Sequence, residues 1–213
     1  MTENAWDKFR SEEPVESAAT EDGDPQWIIA AKDWISRNIP KKYQDARPTD
    51  FTTRPGASIN GGWCIFGSTR TGKIRFAASM AVRRSQPQIP DTLGTYVQDN
   101  WVYGKKAFKW VNNAHLMSRF RSCFSTASKE TEYQVVREML GYRLLILDDF
   151  GAENSSDFSK SALYGIIGGR VDDEKETIIT TNLTPKQIIA YEKRVGGRIA
   201  EMNCIEMNHR EDK

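Results

Sequence analysis

The sequence has little of what metal and disulfide chemistry need: two histidines among 213 residues, and three cysteines, Cys64, Cys123 and Cys204, far apart and without a C-x-x-C pair. That pattern supports neither a zinc site nor a disulfide framework, and it fits a reducing, cytoplasmic setting in which the thiols are small core residues. No apolar run approaches the roughly 18 residues of a membrane-spanning helix. The start is acidic rather than apolar, so neither export nor a membrane partner is expected. An excess of one charge is missing as well, since 30 basic and 29 acidic side chains leave a formal net charge of +1. The balance hides an asymmetry: positions 1–26 hold eight acids and two bases, the remainder 21 acids and 28 bases. An acidic tail therefore precedes a mildly basic body suited to polyanions such as nucleotides or nucleic acid.

What is present reads as one compact α/β unit behind an extension. Residues 1–25 lack the large apolar side chains needed to offset the entropy of ordering, so a flexible acidic tail is expected. Over 26–38, Trp27, Ala31 and Trp34 with Ile28 and Ile35 make an apolar helical stripe that Pro40 stops, and a linker runs to 55. From 56 to 213 short apolar strands (63–66, 108–111, 144–147, 177–181) alternate with helices (72–84, 114–124, 130–140, 158–168, 184–193). Such alternation predicts a parallel sheet covered on both faces. The last helix start is marked by Thr184 as cap, Pro185 in the first turn and Gln187 three after the cap. Residues 86–106, with Pro87, Pro90, Gly94 and Gly104, read as a surface excursion.

Gly67-Ser68-Thr69-Arg70-Thr71-Gly72-Lys73 matches G-x-x-x-x-G-K between a strand and a helix. Backbone N–H groups of such a loop cradle phosphates, the lysine reaches the outer ones, and the helix N-terminus adds its positive dipole end. Two residues depart from the pattern. Ile74 stands where a Ser or Thr hydroxyl binds Mg²⁺, and Arg70 stands where positive φ would cost a non-glycine about 1–2 kcal/mol. Downstream, Leu144 to Leu147 lead into Asp148-Asp149. Carboxylates at the C-terminal edge of a parallel sheet lie where ligands bind. Asp148 is expected to hold Mg²⁺ through water, and Asp149 to orient or deprotonate an attacking water. Loop and acids in this order predict a P-loop nucleotide-binding fold.

With these residues in hand the chain resembles the AAA+ ATPases of the DnaC and IstB-like group, bacterial replicative-helicase loaders and transposition helpers. The resemblance is carried by Ile39-Pro40-Lys41-Lys42-Tyr43 and Phe51, by the loop, and by Leu145 to Glu153 with its DDFGAE stretch. It continues through Leu163-Tyr164-Gly165-Ile166-Ile167, Arg170, Thr177 to Leu183 and Arg198-Ile199. It implies ATP and Mg²⁺ as cofactors and single-stranded DNA and a replicative helicase as partners, or a transposase for a transposition helper. It makes Asn182 the sensor of the terminal phosphate, and Arg198 the arginine that reaches a neighbouring copy's nucleotide, with self-association as its corollary. Arg210 is a weaker match to a later sensor arginine. Ile74 keeps a third reading open, a nucleotide-binding adaptor with little turnover.

For DNA, Lys105, Lys106 and Lys109 interleave with Tyr103, Phe108 and Trp110, and Arg119 and Arg121 with Phe120 and Phe124. This is the mixture of charge and stacking surface that binds unpaired strands. The competing reading makes those aromatics core residues beside solvated charges.

Overall fold

The structure is a computed structural model that describes residues 33, 35–46, 62–85, 108–152 and 157–207. The acidic tail, most of the 26–38 helix, the 86–106 excursion and Arg210 lie outside the described residues.

Five strands form one parallel sheet in the order β2-β3-β4-β1-β5: β1 Trp63–Phe66, β2 Phe108–Asn112, β3 Leu144–Phe150, β4 Glu176–Thr181 and β5 Asn203–Glu206. Helices α1 Lys73–Ser85, α2 Asn113–Ser122, α3 Glu132–Gly141, α4 Asp157–Asp172, α5 Pro185–Tyr191 and α6 Lys193–Ala200 supply the crossovers. Parallel neighbours need such crossovers, and these put apolar surface on both sheet faces.

On one face Leu145, Leu147 and Ile179 meet Met117, Phe120 and Ile166 of the helices. On the other, Ile65, Ile146 and Ile178 meet Phe76 and Ala77 of α1, together with Ile39. Leu144 to Leu147 are all buried. Burial of each contributes about 1.5–3 kcal/mol against chain entropy.

Local chemistry sets the element ends. Asn112 accepts from the N–H groups of Ala114 and His115 to start α2, and Thr131 and Thr184 each form a reciprocal capping box with the glutamine three residues on. Two features differ from the sequence expectation. The 184–193 helix is broken at Glu192, which is extended (φ −157°, ψ 118°) and whose carboxylate accepts from Val195 N–H at 2.7 Å, starting α6 as a separate helix. An acid at a helix start is favoured by the dipole. The strand β5 was not anticipated, because only Ile205 of its four residues is even half-buried.

The edge away from the strand C-termini is held by Arg170, a buried cation. Its guanidinium donates to Thr177 Oγ1 (2.8 Å) and to the carbonyls of Met139 (2.9 Å), Tyr142 (2.6 Å), Arg143 (3.2 Å) and Glu176 (2.6 Å). The rigid fork satisfies carbonyls at the end of α3 and at the entries of β3 and β4 together. Desolvation lowers its pKa only to about 10, so it stays charged at neutral pH.

Candidate functional site

The C-terminal ends of β1, β3 and β4, neighbours in the sheet, carry the sequence-predicted groups to one edge. Gly67 leaves β1 with φ 143°, and a Cβ there would lie 2.1 Å from the Met207 carbonyl oxygen. Met207 in turn donates its N–H to Phe66 O at 2.8 Å, so the end of β5 closes against the start of the loop. Only glycine fits this position. Arg70 has φ 63° and Gly72 φ 93°; the left-handed arginine is the strained non-glycine that the sequence pattern anticipated.

Lys73 opens α1 almost fully buried, and its ammonium donates to Gly67 O (2.8 Å) and Ser68 O (2.5 Å). Thr71 Oγ1 donates to Ser68 O at 3.0 Å and tightens the same turn. Burial lowers the Lys73 pKa, opposed by the charges of Asp149 and Asp148, which places the lysine within the field of both acids. Ile74 follows in the first helical turn and brings no oxygen to the loop.

The strand β3 keeps alternation through Leu147 and then slips. The register with β4 shifts between Leu147 and Phe150, and Asp149 takes φ 58°. Phe150 thereby returns to the face of Leu145 and Leu147.

Asp148 Oδ1 accepts from Thr180 Oγ1 at 2.6 Å and Oδ2 from Trp110 Nε1 at 3.4 Å. Its pKa is raised, because desolvation outweighs those two hydrogen bonds. Thr180 Oγ1 also accepts the Asp149 N–H at 3.0 Å, and Asn182 Nδ2 lies 3.3 Å from Asp149 Oδ1. Asn182 is thus brought to the second acid. Gly151 closes the turn, packed so tightly on Leu183 that a Cβ would come within 2.3 Å of its Cδ1.

Other expected site residues lie elsewhere. Arg198 pairs with Asp172 at 3.1 Å and Glu201 at 3.2 Å, holding the ends of α4 and α6 together rather than touching the phosphate loop. Lys105 and Lys106 are outside the described residues. Lys109, partly exposed, lies 3.8 Å from Glu138 and over the Tyr142 ring. Arg119 is not a free cation for DNA: it donates to Glu130 (2.8 and 2.5 Å) and also to Glu138. Arg121 is exposed, with a 2.9 Å bond to Ser118.

Of the interleaved aromatics, Phe108 and Phe120 are core, whereas Phe124 is 63% exposed. Cys64 is buried as expected, but Cys204, opposite it on β5, is exposed at the edge of the described sheet.

Thr180 was not anticipated as a site residue, and Trp110 was read as a DNA-stacking or core aromatic rather than as a partner of Asp148. A run of two threonines at the end of an apolar strand was the available signal for Thr180. Among the described residues no cluster of three or more His, Cys, Asp or Glu forms a metal cage, and no helix is long and apolar enough to cross a membrane.

No family model and no curated protein matches this sequence. Solved structures do match in fold. The DnaC helicase loader aligns with TM-score 0.54 at 20% identity, over 79% of this chain and 100% of that one. DnaI aligns with TM-score 0.50 at 21% identity, over 90% of this chain and 91% of that one. The replication initiator DnaA, bound to AMPPCP and single-stranded DNA, aligns with TM-score 0.57 at 13% identity; the match covers 80% of this chain and 51% of the initiator, about half its length. The five-stranded parallel sheet with helices on both faces thus gives this chain the α/β fold seen in the DnaC helicase loader, in DnaI and in the replication initiator DnaA.

Proposed function

We propose that the chain is an ATP-binding switch of the helicase-loader kind, which binds single-stranded DNA and loads or remodels a replicative helicase. The observation that carries this reading is the convergence of Lys73, Asp148, Asp149 and Asn182 at one sheet edge. The fold neighbours include the DnaC helicase loader and an initiator holding AMPPCP, an ATP analogue, with single-stranded DNA.

The residues fit a nucleoside triphosphate. The loop's positive-φ positions and the start of α1 suit backbone N–H groups to phosphate, and Lys73 needs only to exchange two loop carbonyls for phosphate oxygens. For Mg²⁺ the donor set is thinner. Asp148 is the carboxylate that would hold it, through water, since Ile74 provides no hydroxyl. When bound with the nucleotide, Mg²⁺ neutralises charge on the outer phosphates. In this reading Asp149 orients or deprotonates water, Asn182 holds the same locus, and Arg198 exchanges its pairs with Asp172 and Glu201 for the nucleotide of a neighbouring copy. A second reading, a slowly hydrolysing adaptor, is favoured by Ile74 itself.

The test is assembly. Purified protein, a replicative hexameric helicase and circular single-stranded DNA are combined with ATP, and helicase retained on DNA is measured. Retention that requires ATP and is lost in Lys73→Ala supports the loader reading. Retention equal with and without this protein overturns it.

A further inference from the structure

The turn that follows Pro40 belongs to the same face of the sheet as Asp148. Residues Lys41–Tyr43 form a 3-10 turn, and the Tyr43 ring lies parallel to that of Trp110, 5° between planes and 6.5 Å between centroids. Asp45, two residues on, makes a two-pronged pair with Arg75 in the first turn of α1, at 3.1 and 3.3 Å. The turn therefore touches both halves of the candidate site, the helix that carries Lys73 and the edge strand beside the acids. Trp110 pairs in register with Ile146, so its side chain shares a face with Asp148 two residues further along β3. From there its indole N–H reaches Asp148 Oδ2. With Thr180 on Oδ1, both oxygens of this carboxylate are oriented by the protein before any ligand arrives.

We propose that Trp110 is a positioning residue for Asp148, held in place by Tyr43, so that the 41–46 turn is built into the nucleotide site through the sequence Tyr43, Trp110, Asp148. An indole N–H can only donate, so it fixes which face of the carboxylate is left for a hydrated cation. A phenylalanine in place of Trp110 would fill much of the same space but leave Oδ2 without its donor, with Thr180 alone orienting the carboxylate. The inference rests on the nucleotide reading for its consequence, but its geometry can be tested without nucleotide.

Two measurements test it. In the nucleotide-free protein, the ¹⁵N-indole resonance of Trp110, assigned by its loss in Trp110→Phe, should move on Asp148→Ala and again on Tyr43→Ala. In titrations with a fluorescent ATP analogue, Trp110→Phe should weaken binding about tenfold in the presence of Mg²⁺, the lower end of the usual loss when a metal ligand's supporting partner is removed. In excess EDTA its affinity should equal that of the wild type. An indole resonance indifferent to both substitutions, or equal magnesium-dependent affinity in wild type and Trp110→Phe, overturns the proposal. If the wild type binds no nucleotide, the ATP reading of the site fails, and the indole resonance alone decides the positioning role.

Discussion

The hydroxyl of Thr180 donates to Asp148 Oδ1 across 2.6 Å, and Thr180 Oγ1 itself accepts the Asp149 N–H at 3.0 Å. One buried hydroxyl on β4 thus fixes the carboxylate of the first acid and the backbone of the second. Thr180→Val keeps the shape and removes both bonds, leaving a half-buried carboxylate short of a donor. Loss of about 1–3 kcal/mol is expected, read as a lower midpoint in urea with an unchanged slope. A midpoint equal to wild type would show that the pair contributes nothing to folding.

Lys73 and Asp149 should separate binding from turnover. Lys73→Ala removes the ammonium enclosed by the loop and should abolish ATP binding by calorimetry. Asp149→Asn is a mild change for the backbone, because asparagine tolerates the φ of 58° seen there. It should leave affinity near wild type and cut hydrolysis by roughly 10²–10⁴, the usual effect of losing a general base. Undiminished turnover in Asp149→Asn would remove this carboxylate from the chemistry.

Two glycines should respond in opposite directions. Gly67→Ala places a methyl 2.1 Å from a backbone oxygen at φ 143°, and neither can yield without separating β5 from the loop. Gly197 lies in the middle of α6 with nothing within 4 Å of an added Cβ. Gly197→Ala should stabilise by about 0.8–1 kcal/mol through helix propensity alone, whereas Gly67→Ala should unfold at lower temperature and bind nucleotide poorly. Thermal denaturation of the pair checks both signs.

Arg119 and Arg121, two residues apart, have different partners and should behave differently toward DNA. If Arg121 meets one phosphate, as the loader reading proposes, Arg121→Ala should lower the salt slope of single-strand binding by roughly 0.7. Arg119→Ala should leave the slope unchanged and weaken the fold, because it releases two glutamates. The Arg119 hydrogen bond holds the Glu130 carboxyl below its ordinary range. At Glu138 burial opposes the same effect, and the Arg119 and Tyr142 bonds outweigh it. Both folded-state values are depressed, so the triad's contribution is complete above the unfolded glutamate value of about 4.3 and is lost as pH falls through the folded values. The stability difference between wild type and Arg119→Ala should therefore shrink below that pH.

The parallel sheet and the loop were legible because their signals are local: continuous apolar strands, a glycine-lysine turn and capping threonines. The strand β5 was not, since its exposed residues are ordered by pairing with β1 rather than by a pattern of their own. Glu192 looked helical by period, and its role as a cap depends on a backbone break that no spacing announces. Trp110 and Arg119 carry the same lesson, the first at the candidate site and the second away from it. An aromatic beside lysines and an arginine beside phenylalanines look alike in sequence whether they meet DNA or other side chains, and only Asp148 and Glu130 across the fold separate the cases.

Ile74 divides a turning-over ATPase from a nucleotide-holding adaptor. Its side chain sits in the first turn of α1 directly after Lys73, where a hydroxyl would stand beside a cation held by Asp148. Binding through the loop amides and Lys73 does not pass through position 74, so wild-type affinity should be intact while turnover is slow. Ile74→Thr supplies the missing oxygen and should raise hydrolysis about tenfold, equivalent to ~1.4 kcal/mol of transition-state stabilisation, and steepen its dependence on magnesium. Threonine is also β-branched, so the helix start should be little disturbed. Steady-state phosphate release against magnesium concentration, with and without single-stranded DNA, measures the effect. If wild type already turns over at about 1 per second or faster, within the common enzyme range, and Ile74→Thr adds nothing, the hydroxyl is dispensable here and the adaptor reading loses the residue that motivates it.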